Sequence, residues 1–217
     1  MKQLTTLLLF FLSINLSYSQ GAGLTKEETV KYINKKLKEV EGYKTSWSND
    51  ATAYILENKM ESLGDGKYNY INYYSNGENY CTSDKTSSSG SRFNNEFKAI
   101  HIKSMEEISE AKANKSIGRI RVTLHEKAVK WWARDFSLNS EDVYRKVFLY
   151  TDYWGNAQYT DDYSHTKYWC TNSDRDITYD GDFVLYYSKV DAEDGKKLLK
   201  ALQYLVDLEK AEDDPFG

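Results

Sequence analysis

The stretch DFVLYYSKVDAEDGKKLLKALQYLVDL, residues 182–208, changes its hydrophobic period midway, and that change decides the fold. Residues 182–187 alternate aromatic and aliphatic positions with a period of two, the pattern of a strand with one covered face. Beyond Gly195 the period becomes helical: Leu198, Leu202 and Leu205, with Leu199, Val206 and Leu208 beside them, form a broad apolar stripe. Asp191 is the expected N-cap, and Glu193 and Asp194 fall in the first turn, where negative charge suits the positive end of the helix dipole. A stripe this wide has to be covered, because a bare one is an aggregation or partner-binding surface. The cover available within the chain is the strand-rich region upstream, so the segment reads as a helix that closes a sheet.

Working outward, residues 51–57, 67–74, 93–103, 117–126, 143–151 and 166–170 join 182–187 as predicted strands, rich in Tyr, Phe, Ile, Val and Trp. LGDGKY and YSNGEN carry the Asp-Gly and Asn-Gly signals of tight hairpins, YDGDF (residues 179–183) supplies a further turn, and SDKTSSSGS (residues 83–91) is a small-polar loop tip. Thr25 followed by Glu28 makes a capping box for a helix whose Val30, Ile33, Leu37 and Val40 share one face and whose end is marked by Gly42. Lys31, Lys35, Lys36 and Lys38 line its other face, a solvated surface or a contact for an anionic partner. The expected class is α+β: an antiparallel barrel or sandwich of about seven strands, with an N-terminal helix and a C-terminal capping helix. No internal repeat or linker divides residues 20–217, which read as one domain.

The N-terminus carries an address. Lys2 precedes the apolar run of residues 7–16, and Ser17-Tyr18-Ser19 is a small-x-small pattern that a signal peptidase cuts before Gln20. Residues 1–19 therefore read as a signal peptide, and the chain as exported, to the periplasm or beyond. The run is short of the ~20 apolar residues a membrane helix needs, and no later segment approaches that length. Removing the leader leaves 28 cationic against 33 anionic side chains, with 23 Lys and 6 Arg scattered along the whole chain. Nucleic acid is excluded as a partner, since phosphate backbones call for a clustered basic face. Cys81 and Cys170 are the two cysteines. In an oxidising compartment they are a candidate disulfide, and two buried thiols are the alternative.

The antiparallel run that ends in an acidic turn and one amphipathic helix resembles the pleckstrin-homology-like barrel. FKAIHIKSMEEISEA (residues 97–111) is similar to a mid-barrel strand of that superfold. The ends, with a TKEETVKYINKKL helix at residues 25–37 and GKKLLKALQYL at 195–205, resemble those of small exported bacterial proteins. The resemblance implies an architecture and no activity. Its phosphoinositide-binding members share a basic loop between the first two strands, whereas ENKMESLGDGK is mixed in charge, so lipid binding is not implied.

For chemistry, the chain contains no G-x-S-x-G, H-E-x-x-H, phosphate loop or zinc spacing, and no cofactor or metal is indicated. His101 and His125 fall in predicted strands. His165 follows Asp161 and Asp162, so these three are the acid/base candidates for a small hydrolase, with a polar hairpin tip as the plainer account. The densest feature is aromatic: Trp154, Tyr159, Tyr163, Tyr168 and Trp169 crowd together with Tyr150 and Tyr153, downstream of Trp131-Trp132. Exposed rings beside carboxylates suit a glycan or a peptide, while the same rings equally cover sheet faces. The expectation is a non-enzymatic binding module whose ligand residues are these five aromatics with Asp161, Asp162 and His165. The alternatives are the hydrolase, or a structural or interaction protein.

Overall fold

The computed structural model describes residues 23–48, 51–77, 89–111 and 114–213. The expected leader, Cys81 and residues 83–88 of the polar loop lie outside the described residues. Helix α1 (Lys26–Lys38) opens with the expected capping box: Thr25 Oγ1 accepts the Glu28 N–H at 3.2 Å, and the Glu28 carboxylate accepts the Thr25 N–H at 2.8 Å. Glu39 is its C-cap, and Gly42 takes φ +86° just beyond.

Ten strands follow among the described residues: β1 (Lys44–Ser48), β2 (Ala51–Gly64), β3 (Lys67–Ser75), β4 (Gly90–Lys98), β5 (Ile102–Ile108), β6 (Ile117–Leu124), β7 (Val129–Thr151), β8 (Ala157–Asp174), β9 (Thr178–Asp180) and β10 (Asp182–Ser188). Helix α2 (Asp194–Asp213) ends the fold. Every one of these strand pairs is antiparallel. The large sheet runs β1-β2-β3-β4-β7-β8 with β9 also on β7, and the small one runs β10-β6-β5.

The Asp65-Gly66 hairpin forms as expected, with φ of +50° and +67° at its two central residues. Asn76-Gly77 does not make a tight hairpin: β3 meets β4 through the pair Ser75↔Gly90, so a long connection lies between them. The single strand expected over residues 93–103 is two. A 3₁₀ turn at Ala99–His101 breaks it, with Ala99 fully buried and its N–H donating to the Gly66 carbonyl at 3.1 Å, and the chain changes sheets there.

The sheets do not close into a barrel, which corrects that half of the expectation. β10 pairs with β6 on one edge, and among the described residues side chains rather than a strand occupy its other edge. There the Asn58 amide donates to the carbonyls of Tyr186 (2.8 Å) and Leu37 (2.6 Å), and its oxygen accepts the Tyr70 hydroxyl at 2.6 Å. The Tyr70 oxygen in turn accepts the Tyr186 N–H at 3.3 Å. The backbone N–H and C=O of Tyr186 are thereby satisfied at this edge by side chains in place of a strand partner. On β2, Asn34 of α1 does the same, exchanging two 2.7 Å hydrogen bonds with the backbone of Met60.

Helix α2 is the expected lid. Leu198, Leu202, Leu205 and Val206 are buried against Ile33 and Leu37 of α1, Tyr68 and Phe97 of the large sheet, and Ile120, Val122 and Leu185 of the small one. It starts at Asp194, and Asp191 instead caps the preceding turn, accepting the Glu193 N–H at 3.0 Å. No helix among the described residues is long and apolar enough to cross a membrane.

Candidate functional site

The aromatic segment folds as one long hairpin. β7 is bonded to β4 from Lys130 to Phe136, whereas its pairing with β8 continues to Thr151↔Ala157. From Leu138 onward the two strands form a ribbon with no third strand among the described residues, an arm roughly 45 Å long at ~3.3 Å per residue. The arm begins where the large sheet ends.

Residues paired across antiparallel strands share a face, so the register sorts the arm's side chains. One face carries the pairs Ser140/Tyr168, Asp142/Thr166, Tyr144/Tyr163, Lys146/Asp161 and Phe148/Tyr159. Rings therefore recur at every second row, with polar or ionic rows between. Tyr144 meets Tyr163 edge-on at 6.2 Å, and Phe148 meets Tyr159 at 6.0 Å. All five rings are about half exposed. The other face carries Asn139/Trp169, Glu141/Lys167, Val143/His165, Arg145/Asp162 and Val147/Thr160 and is mainly polar.

At the tip, Tyr153 and Trp154 are 95% and 81% exposed and meet at 6.0 Å. Asp152 shapes this turn: its carboxylate accepts the N–H groups of Asn156 (2.8 Å) and Trp154 (3.0 Å) and the Gln158 amide (3.0 Å). The Asn156 N–H is the chief reason its carboxyl sits below the ordinary range. Gly155 supplies the positive φ of +83° that the turn requires.

At the root, two Arg–carboxylate forks hold the strands together. Arg134 grips Asp174 at 2.6 and 3.0 Å, and Arg175 grips Asp135 at 2.7 and 2.8 Å. Cys170, on the arm's aromatic-face register, is disulfide-bonded. Cys81 lies outside the described residues.

The eight residues singled out by sequence all fall on this arm, but on different surfaces. Tyr159, Asp161, Tyr163 and Tyr168 share the ring-bearing face, Asp162, His165 and Trp169 the opposite one, and Trp154 the tip. Asp161 is ion-paired to Lys146 at 2.9 Å and Asp162 to Arg145 at 3.0 Å, and His165 touches the Ser164 hydroxyl at 3.2 Å. The three acid/base candidates thus form no common cleft, and no group of His, Cys, Asp or Glu among the described residues is arranged to hold a metal. His101 and His125 are exposed, outside the strand interiors expected for them. Of the adjacent tryptophans, Trp131 lies 6.0 Å from Phe93, and Trp132 lies under the Lys130 ammonium at 5.2 Å.

Sequence reasoning missed Tyr144 and Phe148. Their spacing of four matches that of Tyr159 and Tyr163, which was the available signal: in a hairpin, equal even spacings on both strands place rings on one face.

A cavity of about 690 Å³ lies away from the arm, between the start of α1, the β2–β3 turn and the end of α2. Four of its polar groups, Lys26, Tyr68, Glu209 and Glu212, form one connected cluster. Glu209, buried, accepts the Tyr68 hydroxyl at 2.5 Å and pairs with Lys26 at 2.7 Å, and Lys26 also reaches Glu212 at 2.6 Å. Burial first, then the neighbouring carboxylate, pushes the Tyr68 phenol up. Burial opposes the charge on Lys26, but the hydrogen bonds to Glu209 and Glu212 outweigh it and raise its pKa. This cluster ties the two helices to β3.

Comparison with known proteins finds no matching family model, no matching curated protein and no matching solved structure.

Proposed function

We propose that this chain is an exported, non-enzymatic binding module of pleckstrin-homology-like architecture that engages a protein partner through the ring-bearing face of its arm. One observation carries the reading: five half-exposed rings lie in register on a ribbon that leaves the body of the fold. Ring surface left exposed in this ordered way, row after row between polar rows, suits an interaction site on an exported chain. A polypeptide suits it better than a glycan. The rows repeat at ~6.7 Å, the same-face spacing of β structure, and the carboxylates that sugar hydroxyls would need at Asp161 and Asp162 are engaged by Lys146 and Arg145. The same ion pairs, and the division of Asp161 from Asp162 and His165 between faces, argue against the hydrolase. The family relationship rests on the helix packed across the strands and concerns architecture alone.

The test is a titration of the mature chain with extended peptides and with glycans, read by the emission of Trp154 and Trp169 and by calorimetry. Peptide binding that is lost in Phe148→Ser/Tyr159→Ser, with thermal unfolding of the body unchanged, is the expected result. Glycan binding with no peptide binding changes the ligand class. If neither ligand binds and the variant behaves as wild type in every association assay, the arm is not a recognition surface.

A further inference from the structure

We infer that the partner of the arm is the same arm on a second copy of the chain. This rests on the binding reading above and goes beyond it by naming the occupant.

The ring-bearing face is self-complementary. Consider a two-fold axis crossing the ribbon at the Tyr144/Tyr163 row, so that two arms lie face to face and antiparallel with their bodies at opposite ends. Row 146/161 then meets row 142/166, and row 148/159 meets row 140/168. Lys146 faces Asp142 of the second copy, Asp161 faces Thr166, Tyr159 faces Tyr168, and each ring of the central row faces its own equivalent. No like charges oppose one another. The isologous geometry of a two-fold dimer demands this kind of match.

Lys146 spends one hydrogen-bonding direction on Asp161 (2.9 Å), and an ammonium has three N–H groups, so a second carboxylate is accommodated. Asp142 already accepts the Thr166 hydroxyl at 2.8 Å, and its remaining lone pairs are available to the incoming lysine. The two ionic rows thus become a connected network when the rings close around them.

The area is sufficient. Each ring offers about 200 Å² and is about half exposed, so a row of five presents roughly 500 Å². Two arms together remove roughly 1,000 Å² before the polar rows are included, which reaches the lower range of specific interfaces. The arm also gains from association. A lone two-stranded ribbon is marginal in water, whereas two ribbons packed through their ring rows bring four strands together.

Sedimentation velocity across a dilution series of the mature chain reads the outcome. Wild type is expected to show twice the monomer mass, falling to monomer on dilution. Lys146→Asp sets a new carboxylate against Asp142 of the second copy, and Asp142→Lys sets a new ammonium against Lys146 of the second copy, so each variant alone is expected to be monomeric. An equimolar mixture of the two restores opposite charges across both rows and is expected to form a heterodimer, which also shows that both variants are folded. A wild type that stays monomeric at every concentration overturns the inference, as does a dimer that Phe148→Ser/Tyr159→Ser leaves intact. A monomer that still binds a peptide through the arm leaves the binding reading standing, so the two failures are distinguishable.

Discussion

The Arg175 guanidinium holds the Asp135 carboxylate at both of its ends, Nε to Oδ2 at 2.7 Å and Nη2 to Oδ1 at 2.8 Å. This fork sits where the arm leaves the sheet, and the Arg134–Asp174 fork is its neighbour on the other face. Both carboxyls are held below the ordinary range, Asp135 first by Arg175 and then by the Ser91 hydroxyl, and Asp174 by Arg134.

The acid response of the arm follows from the sign of those shifts. A carboxyl whose folded pKa is depressed contributes stability that is present above its unfolded pKa, near 3.9, and is lost as pH falls through the folded value. The protection factors of the arm amides, taken relative to intrinsic exchange at each pH, are therefore expected to fall below about pH 4, ahead of those of α2. In Arg175→Gln the arm starts less protected at neutral pH, and the acid-dependent change shrinks. Identical acid profiles in the variant and wild type would show that the fork does not hold the root.

Asn58→Ala removes the amide that joins α1, β3 and β10, leaving the Leu37 and Tyr186 carbonyls and the Tyr70 hydroxyl without their partner. With Asn58 fully buried, the expected loss is about 3 kcal/mol, read as a lower urea midpoint. A loss below about 1 kcal/mol means that water replaces the amide at little cost.

Leu202→Ala tests the lid. Leu202 is 3% exposed within the main core, so truncation leaves a cavity and is expected to destabilise by about 3 kcal/mol. Tyr144→Ala on the arm, in contrast, removes one cross-strand ring pair and is expected to shift the same transition by less than about 1 kcal/mol. Equal effects would contradict the division into a body and an arm.

Gly118→Ala probes the contact between β6 and β10. A Cβ there would stand 2.1 Å from the ring of Tyr187, which pairs directly with Gly118 and covers it. The expected cost is about 2 kcal/mol, from displacement of a buried ring. Tyr187→Leu in the same chain is expected to recover part of it, which a double-mutant cycle measures.

Several features were legible because they are local. The Thr25–Glu28 box, the Asp65-Gly66 turn and the Leu198, Leu202 and Leu205 stripe each depend on residues a few positions apart, so spacing and side-chain type suffice. The break at Ala99–His101 was not legible. Its residues have ordinary strand propensity, and what turns the chain there is burial of Ala99 and its bond to Gly66, a contact thirty-three positions away. Barrel and sandwich were both open from sequence because strand count says nothing about edges, and at the free edge of β10 the Tyr186 backbone is met by Asn58 and Tyr70.

The amino-acid order alone determined that a covered helix follows the last strand, that most of the body is antiparallel, and that the rings cluster between residues 150 and 169. Tertiary structure alone decided that those rings stand on a ribbon that no third strand covers among the described residues. Alternation with a period of two states which side chains share a face of a strand, and it reads the same whether that face meets a core or water. Cover depends on which distant elements come to lie against it, and the pairing with β4 stops at Phe136 while the arm runs on.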